Sequence, residues 1–180
     1  MSPCVYSRTK PVQRVLVIGP CGAGKSTLAT ILADRLKLPL FHMDQLNWNP
    51  GWIESSKDEI TSKLHDIVAT DRWLIDGTYG GTLGPRLDRA DTVIYLDFPI
   101  SLCVRRLIKR IWTYRGRSRP DMTEGCPERF DIAFLFYLIR WNSGPRIRTE
   151  AQLKGHGDKI IRLRNPDELQ RWMDSLPAVA

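Results

Sequence analysis

Nowhere in the 180 residues does an apolar run approach the roughly 18 residues that a membrane span needs. The first ten residues, MSPCVYSRTK, likewise lack the apolar core of a secretory leader. A soluble, cytoplasmic protein with no membrane partner is expected. Cysteine is scarce. Cys4, Cys21, Cys103 and Cys126 form no C-x-x-C pair, which argues against both a zinc site and a disulfide framework and favours a reducing compartment. Acidic residues are outnumbered, 20 against 27 Lys and Arg, for a net charge of +7. The partners this suits carry negative charge: nucleotides, nucleic acids or acidic surfaces. Internal repeats and low-complexity tracts are also missing, and the length with 42% hydrophobic residues suits one domain with a sizeable core.

What is present is an alternation. Five short apolar segments, residues 14–18, 38–42, 73–76, 92–97 and 159–163, are separated by helix-length stretches, the pattern of a parallel sheet wrapped by helices. RVLVI and TVIYL show no polar alternation, as strands buried on both faces require. Between the second and third segments Ser56 and Glu59 form an S-x-x-E capping box, and Ile60, Leu64, Ile67 and Val68 follow at helical spacing. The gap between the fourth and fifth segments exceeds what one crossover helix needs. Residues 99–148 therefore read as an insert of two helices joined by a flexible arginine-rich tip, GRSRPDMTEGCPER. The first helix starts at Pro99, and the second, RFDIAFLFYLIRWN, stops near Ser143-Gly144-Pro145. The core comprises about 12–98 and 149–176.

The strongest motif follows the first strand. Gly19, Gly24, Lys25 and Ser26 satisfy G-x-x-x-x-G-K-[ST] between that strand and an amphipathic helix carrying Leu28, Ile31, Leu32 and Leu36. Glycines let successive N–H groups face one anion, and the helix N-terminus adds about half a positive charge. The expected nucleotide-binding set is Gly19, Pro20, Cys21, Gly22, Ala23, Gly24, Lys25, Ser26 and Thr27. Lys25 would reach the β- and γ-phosphates of ATP, and the Ser26 hydroxyl would ligate Mg²⁺. No N/T-K-x-D motif reads a guanine, and Asp76 is followed by Gly77, not by the Glu of a motor's Walker B pair. Both absences argue against switches and motors. A phosphotransferase is the class left, with ATPase activity compatible.

RWLIDGTY resembles the strand and D-G pair of adenylate kinases, a resemblance that gives Asp76 a Mg²⁺-binding role through water; a plain turn-forming role is the alternative. Thr78 and Tyr79 stand where that family has an arginine for the acceptor phosphate. Arg106 and Arg110, four apart on one helix face, resemble the R-x-x-x-R that opens the adenylate-kinase lid and would be catalytic and nucleotide-binding. Arg105 and Lys109 fit a solvated face. Arg140, Arg146 and Arg148 are candidates for a second phosphate cluster. Asp44, just past the second strand, is placed to accept a proton from an acceptor hydroxyl or to orient it, as an aspartate does in shikimate- and gluconate-type kinases, or caps a turn. His42 reads as a packed strand-end histidine or a base. Trp48, Trp52 and Tyr79 would wall an acceptor pocket or pack in the core. Arg164 and Asn165 take the place that borders adenine in adenylate-kinase relatives.

The succession of P-loop, FHMD, PGW, WLIDGTY, RADTVIYLDFP and YRGRSRPDMTEGCPERFD resembles the FlaR-related, or topology modulation, group of bacterial kinase-like ATPases. That resemblance implies a three-layer α/β P-loop NTPase sandwich with parallel strand order 2-3-1-4-5 and a helical lid. It leaves the acceptor, a nucleotide, nucleoside or other small molecule, unnamed. The alternative function is an ATP-dependent nucleic-acid binder using the basic insert.

Overall fold

The computed structural model describes residues 12–176. Cys4 and the segment inspected for a leader lie outside the described residues. The first strand, β1 (Arg14–Ile18), runs through the glycine loop into α1 (Lys25–Leu36), which ends where Lys37 turns left-handed. Next come β2 (Leu40–His42), α2 (Met43–Asn47) and a small antiparallel hairpin, β3 (Trp48–Asn49) with β4 (Ile53–Glu54). Helix α3 (Lys57–Ala69) leads to β5 (Trp73–Asp76), α4 (Leu83–Arg89) and β6 (Thr92–Leu96). Helices α5 (Ile100–Thr113), α6 (Ile132–Ile139) and α7 (Pro145–Leu153) precede β7 (Ile160–Leu163) and α8 (Pro166–Ser175).

The five long strands form one sheet in the order β2-β5-β1-β6-β7, every pairing parallel. Counted along the chain within that sheet, this is the expected 2-3-1-4-5. Side-chain alternation along β1 divides the core in two. Val15 and Val17 pack with Leu28 and Leu32 of α1 and Leu107 of α5; Leu16 and Ile18 pack with Ile60, Leu64 and Val68 of α3 and with Leu87 of α4. Helices therefore cover both faces, which is why the central strands show no polar alternation. The α3 cap forms as expected, the Ser56 hydroxyl accepting from the Glu59 N–H at 3.1 Å.

Three boundaries differ from expectation for local reasons. Strand β2 starts at Leu40, not Leu38, because the Leu38 N–H turns back to the Ala33 carbonyl at 3.0 Å and closes the end of α1. Helix α6 starts only after Asp131, whose carboxylate accepts from the Phe134 N–H at 3.0 Å. The Gly144-Pro145 stop is also a start. Pro145 opens α7, where a first-turn residue needs no N–H partner, so the insert boundary at 148 falls inside a helix.

Candidate functional site

The glycine loop adopts backbone that side chains would spoil. Gly19, Gly22 and Gly24 have φ of 141°, 76° and 95°. A Cβ at Gly19 would collide with the Leu96 carbonyl, and one at Gly22 with the Cys103 carbonyl. Thr78 fixes the first glycine from the neighbouring strand end: its hydroxyl accepts from the Gly19 N–H at 3.0 Å and donates to the Gly19 carbonyl at 2.8 Å. Helix α1 begins at Gly24 with no side-chain cap, leaving its first N–H groups for an anion. Lys25 folds back, its Nζ donating to the Pro20 carbonyl at 3.0 Å. These are the features of a phosphate cradle that a Cβ would fill.

Helix α5 lays both predicted arginines on this loop. Arg106 donates to the Ala23 carbonyl at 3.1 Å and stands 5.6 Å from the Phe98 ring centre. Arg110 reaches Cys21 Sγ at 3.5 Å and Glu128 at 3.0 Å, and although burial opposes the charge, Cys21 and Glu128 outweigh it and raise its pKa. Arg105 and Lys109 are exposed, as their phase on the helix requires. Other basic candidates go elsewhere. Arg146 grips both oxygens of Asp97, at 3.0 and 2.8 Å, and Arg162 joins it at 3.2 Å, so Arg146 holds α7 to the end of β6 and is not a free phosphate ligand. Arg140, Arg148 and Arg164 are exposed. Asn165 is a helix cap: its side-chain oxygen accepts from the Glu168 N–H at 2.8 Å and its amide donates to the Glu168 carboxylate at 3.3 Å, which commits both ends of the side chain within α8.

On the opposite side of the loop, strand ends deliver carboxylates. Asp76 is 3% exposed, and one of its oxygens lies 2.9 Å from His42 Nδ1. Burial pulls the His42 pKa down, but the bond to Asp76 and the charges of Asp76, Asp121 and Asp44 outweigh it, leaving a net rise. Asp44 sits in the first turn of α2, whose N-cap position is held by His42 with no side-chain cap bond. One Asp44 oxygen accepts from the Tyr79 hydroxyl at 2.7 Å and the other from Arg119 at 3.3 Å. Burial, with Asp44 beside it, drives the Tyr79 pKa far upward, so the phenol keeps its proton and donates it to Asp44.

Two residues that hold this arrangement carried no sequence signal of their own. Arg86, fully buried, donates to the carbonyls of Gly77, Thr78, Tyr79 and Thr82 at 2.7, 2.7, 3.0 and 3.0 Å. It is a peg under the turn after β5. Arg119 comes from the insert tip, which is not a loose fringe but docks on α2 and the β3–β4 hairpin. Its guanidinium meets Asp44, Asp121 and Glu128 at 3.3, 2.6 and 2.8 Å. Around it Gln45 donates to the Pro120 carbonyl at 3.1 Å, Thr123 to Trp48 at 2.6 Å, Trp52 to Pro127 at 3.0 Å and Gly51 N–H to Gly125 at 2.9 Å. Trp52, packed edge-on against Trp48 and covered by Arg129, is therefore an anchor for the tip. Asp121 hydrogen-bonds the Ser26 hydroxyl. Burial favours its neutral form, but Arg119 and Ser26 outweigh that and lower its pKa.

Against known proteins, the family model described as "ATPase family associated with various cellular activities (AAA)" matches residues 15–75. A solved shikimate kinase from Acinetobacter baumannii, in complex with shikimate, superposes with a TM-score of 0.56 at 16% identity, covering 91% of this chain and 90% of that one. The chain has the P-loop kinase fold. A gluconokinase from Sinorhizobium meliloti 1021 shares this P-loop kinase fold at a TM-score of 0.52 and 14% identity, covering 94% of this chain and 91% of its own. Among curated proteins the shikimate kinase of Chromohalobacter salexigens is 29% identical over 131 residues, 64% of this chain and 69% of that protein. That of Baumannia cicadellinicola is 28% identical over 132 residues, 65% and 73%. Among the described residues no helix is long and apolar enough to cross a membrane.

Proposed function

We propose that the chain is a small-molecule kinase that transfers the γ-phosphoryl group of Mg-ATP to a hydroxyl of its acceptor. The observation that carries this is the convergence of Arg106 and Arg110 on the glycine loop from one side and of Asp44 and Tyr79 from the other. Loop N–H groups and Lys25, once released from the Pro20 carbonyl, would hold the β- and γ-phosphates, and the two arginines would take up charge on the transferring group. Ser26 and Asp76 fit Mg²⁺, which in such sites needs few protein ligands beside the phosphates and supplies charge neutralisation when bound. Asp76, oriented by His42, would act on the ion through water. Asp44, oriented by Tyr79 and Arg119, would accept the hydroxyl proton, and the docked tip would exclude water. The finer placement in the FlaR-related, adenylate-kinase-like group rests on the tip segment GRSRPDMTEGCPER, and a nucleotide or nucleoside acceptor stays within it. The chain would work in the cytoplasm.

The competing nucleic-acid or topology-modulating role is the less favoured, since Arg106 and Arg110 turn to the loop and Arg119 to carboxylates, and rests on the basic residues still exposed on the insert, Arg105, Lys109, Arg115 and Arg117 among them. Transfer from labelled ATP to a panel of nucleosides, nucleotides and hydroxy compounds, with Lys25→Ala as control, tests the proposal. Turnover unchanged in folded Lys25→Ala would sink it, and so would DNA affinity that survives near-physiological salt while ATP has no effect.

A further inference from the structure

The exposed apolar surface of the chain is concentrated on the insert. Of the large apolar side chains left exposed among the described residues, all but Ile31 and Ile53 lie between positions 108 and 147. Trp112 is 81% exposed, and Phe130, Ile132, Phe136 and Ile139 are each more than half exposed. At about 200 Å² for a large side chain, the open parts of the residues in that span come to on the order of 800 Å². A monomer rarely leaves so much apolar surface in one region, and a stable interface takes about that much from each partner. We infer that this face is a homodimer interface, in which α6 packs antiparallel on α6 of a second copy about a two-fold axis near Phe136.

Helix α6, IAFLFYLI, carries no charged residue. Leu135 and Leu138 turn to the core, and Ile132, Phe136 and Ile139 form an open stripe at the i, i+4, i+7 spacing of one helix face. The exposed face of α5 is different, because Ile108 and Trp112 share it with Arg105 and Lys109. Two copies of that face centred on each other would bring like charges together, so the contact centres on α6 and leaves the basic residues of α5 to a polar rim.

The two ends of the α6 stripe carry opposite charges. Asp131 caps its N-terminus and Arg140 follows its last residue; both are exposed, and neither joins an ion pair among the described residues. The helical rise sets them about 13 Å apart along α6, too far to meet within one chain. Antiparallel packing about Phe136 brings Arg140 to the partner's Asp131, and the two-fold axis makes that pair twice. It also opposes the two helix dipoles. An anionic lipid surface would gain from Arg140 but would set Asp131 against its headgroups, whereas a second copy satisfies both ends.

Sedimentation velocity should find a dimer at micromolar concentration. Phe136→Asp should raise its dissociation constant about 30-fold or more while leaving a chain that melts cooperatively. Should that variant fail to fold, Ile139→Ser takes its place. The register is read from charge: Asp131→Asn, which keeps the cap, and Arg140→Gln should each weaken the dimer about fivefold through two exposed pairs. The double variant should be no weaker than either alone, since both changes remove the same pairs. A monomer at every concentration overturns the inference, as does a dimer that a folded stripe variant leaves unchanged. Losses that add, or no losses, overturn the antiparallel packing. Flotation of a monomer with vesicles of phosphatidylglycerol and phosphatidylcholine, abolished by the stripe variant, overturns it in favour of a lipid surface.

Discussion

Arg86 shows how much one residue can hold. Its five hydrogen bonds to the 77–82 turn position Thr78 on Gly19 and Tyr79 on Asp44, so the loop and the acceptor side share one support. Burial lowers its pKa, and the cation persists on those carbonyls. Replacing it with methionine leaves buried acceptors unpaired and should cost about 3 kcal/mol of stability, read as a lower denaturant midpoint at unchanged slope. Arg86→Lys should recover little, lacking the fork. The His42–Asp76 pair gives a pH signature. A pKa raised in the fold above the ordinary 6.5 means that its stabilisation is complete below about pH 6.5 and is lost as pH rises through the folded value. The stability difference between the unaltered protein and His42→Gln should therefore be larger near pH 6 than above pH 8, and a flat difference would show that the pair does not titrate. Asp76→Asn should weaken Mg²⁺-dependent turnover far more than metal-free nucleotide binding; equal losses would count against its metal role.

At the scale of elements, α5 and the tip behave as one device. The helix carries the arginines to the loop, and Glu128 ties Arg110 to Arg119, so loop, insert and α2 are joined through one carboxylate that is itself 6% exposed. Docking in the free protein predicts slow tryptic cleavage after Arg117, whose carbonyl accepts from the Glu128 N–H at 2.9 Å, even without nucleotide, where a loose arginine tip would be cut quickly. Glu128→Gln should speed that cleavage several-fold by freeing one fork position, and Mg-ATP should slow it again through the arginines. Rapid cleavage of the unaltered protein would show the docking to be weak. Replacing Arg106 and Arg110 together by alanine should lower kcat by about 10³ or more with smaller change in nucleotide affinity, in line with single arginine fingers elsewhere. Helix α6 lies outside that device: Ile132, Phe136 and Ile139 are 62%, 58% and 53% exposed on a helix that Leu135 and Leu138 attach to the core.

For the molecule as a whole, the parallel sheet gathers its functional groups at the carboxyl ends of β1, β2, β5 and β6, the edge where such sheets bind ligands. Ligand binding there should report on the entire fold. Mg-ATP at about 100 times its Kd should raise global stability by about 2.7 kcal/mol, seen as a higher Tm, and Lys25→Ala should remove most of that increment while melting cooperatively on its own. A Tm insensitive to Mg-ATP in the unaltered protein would remove the nucleotide site from the account.

The sequence by itself determined what depends on neighbours in the chain. The loop from Gly19 to Ser26, the strand cores on either side of it, the Ser56 cap and the one-face spacing of Arg106 and Arg110 are local matters of glycine torsion, capping and helical period. The resemblance supplied the strand order. Only the tertiary structure decided where charges on distant segments meet. Arg146 looked available in sequence because nothing local marked Asp97 as its partner, whereas the Asn165-Pro166-Asp167-Glu168 cap of α8 is a local signature. Arg119, 75 residues from Asp44, looked like one more basic residue in a polar tip, and Arg86 like a surface residue of α4. A guanidinium's role is set by which acceptors surround it, and those come from other elements. The acceptor side, built from such meetings, could be read only once the chain was folded.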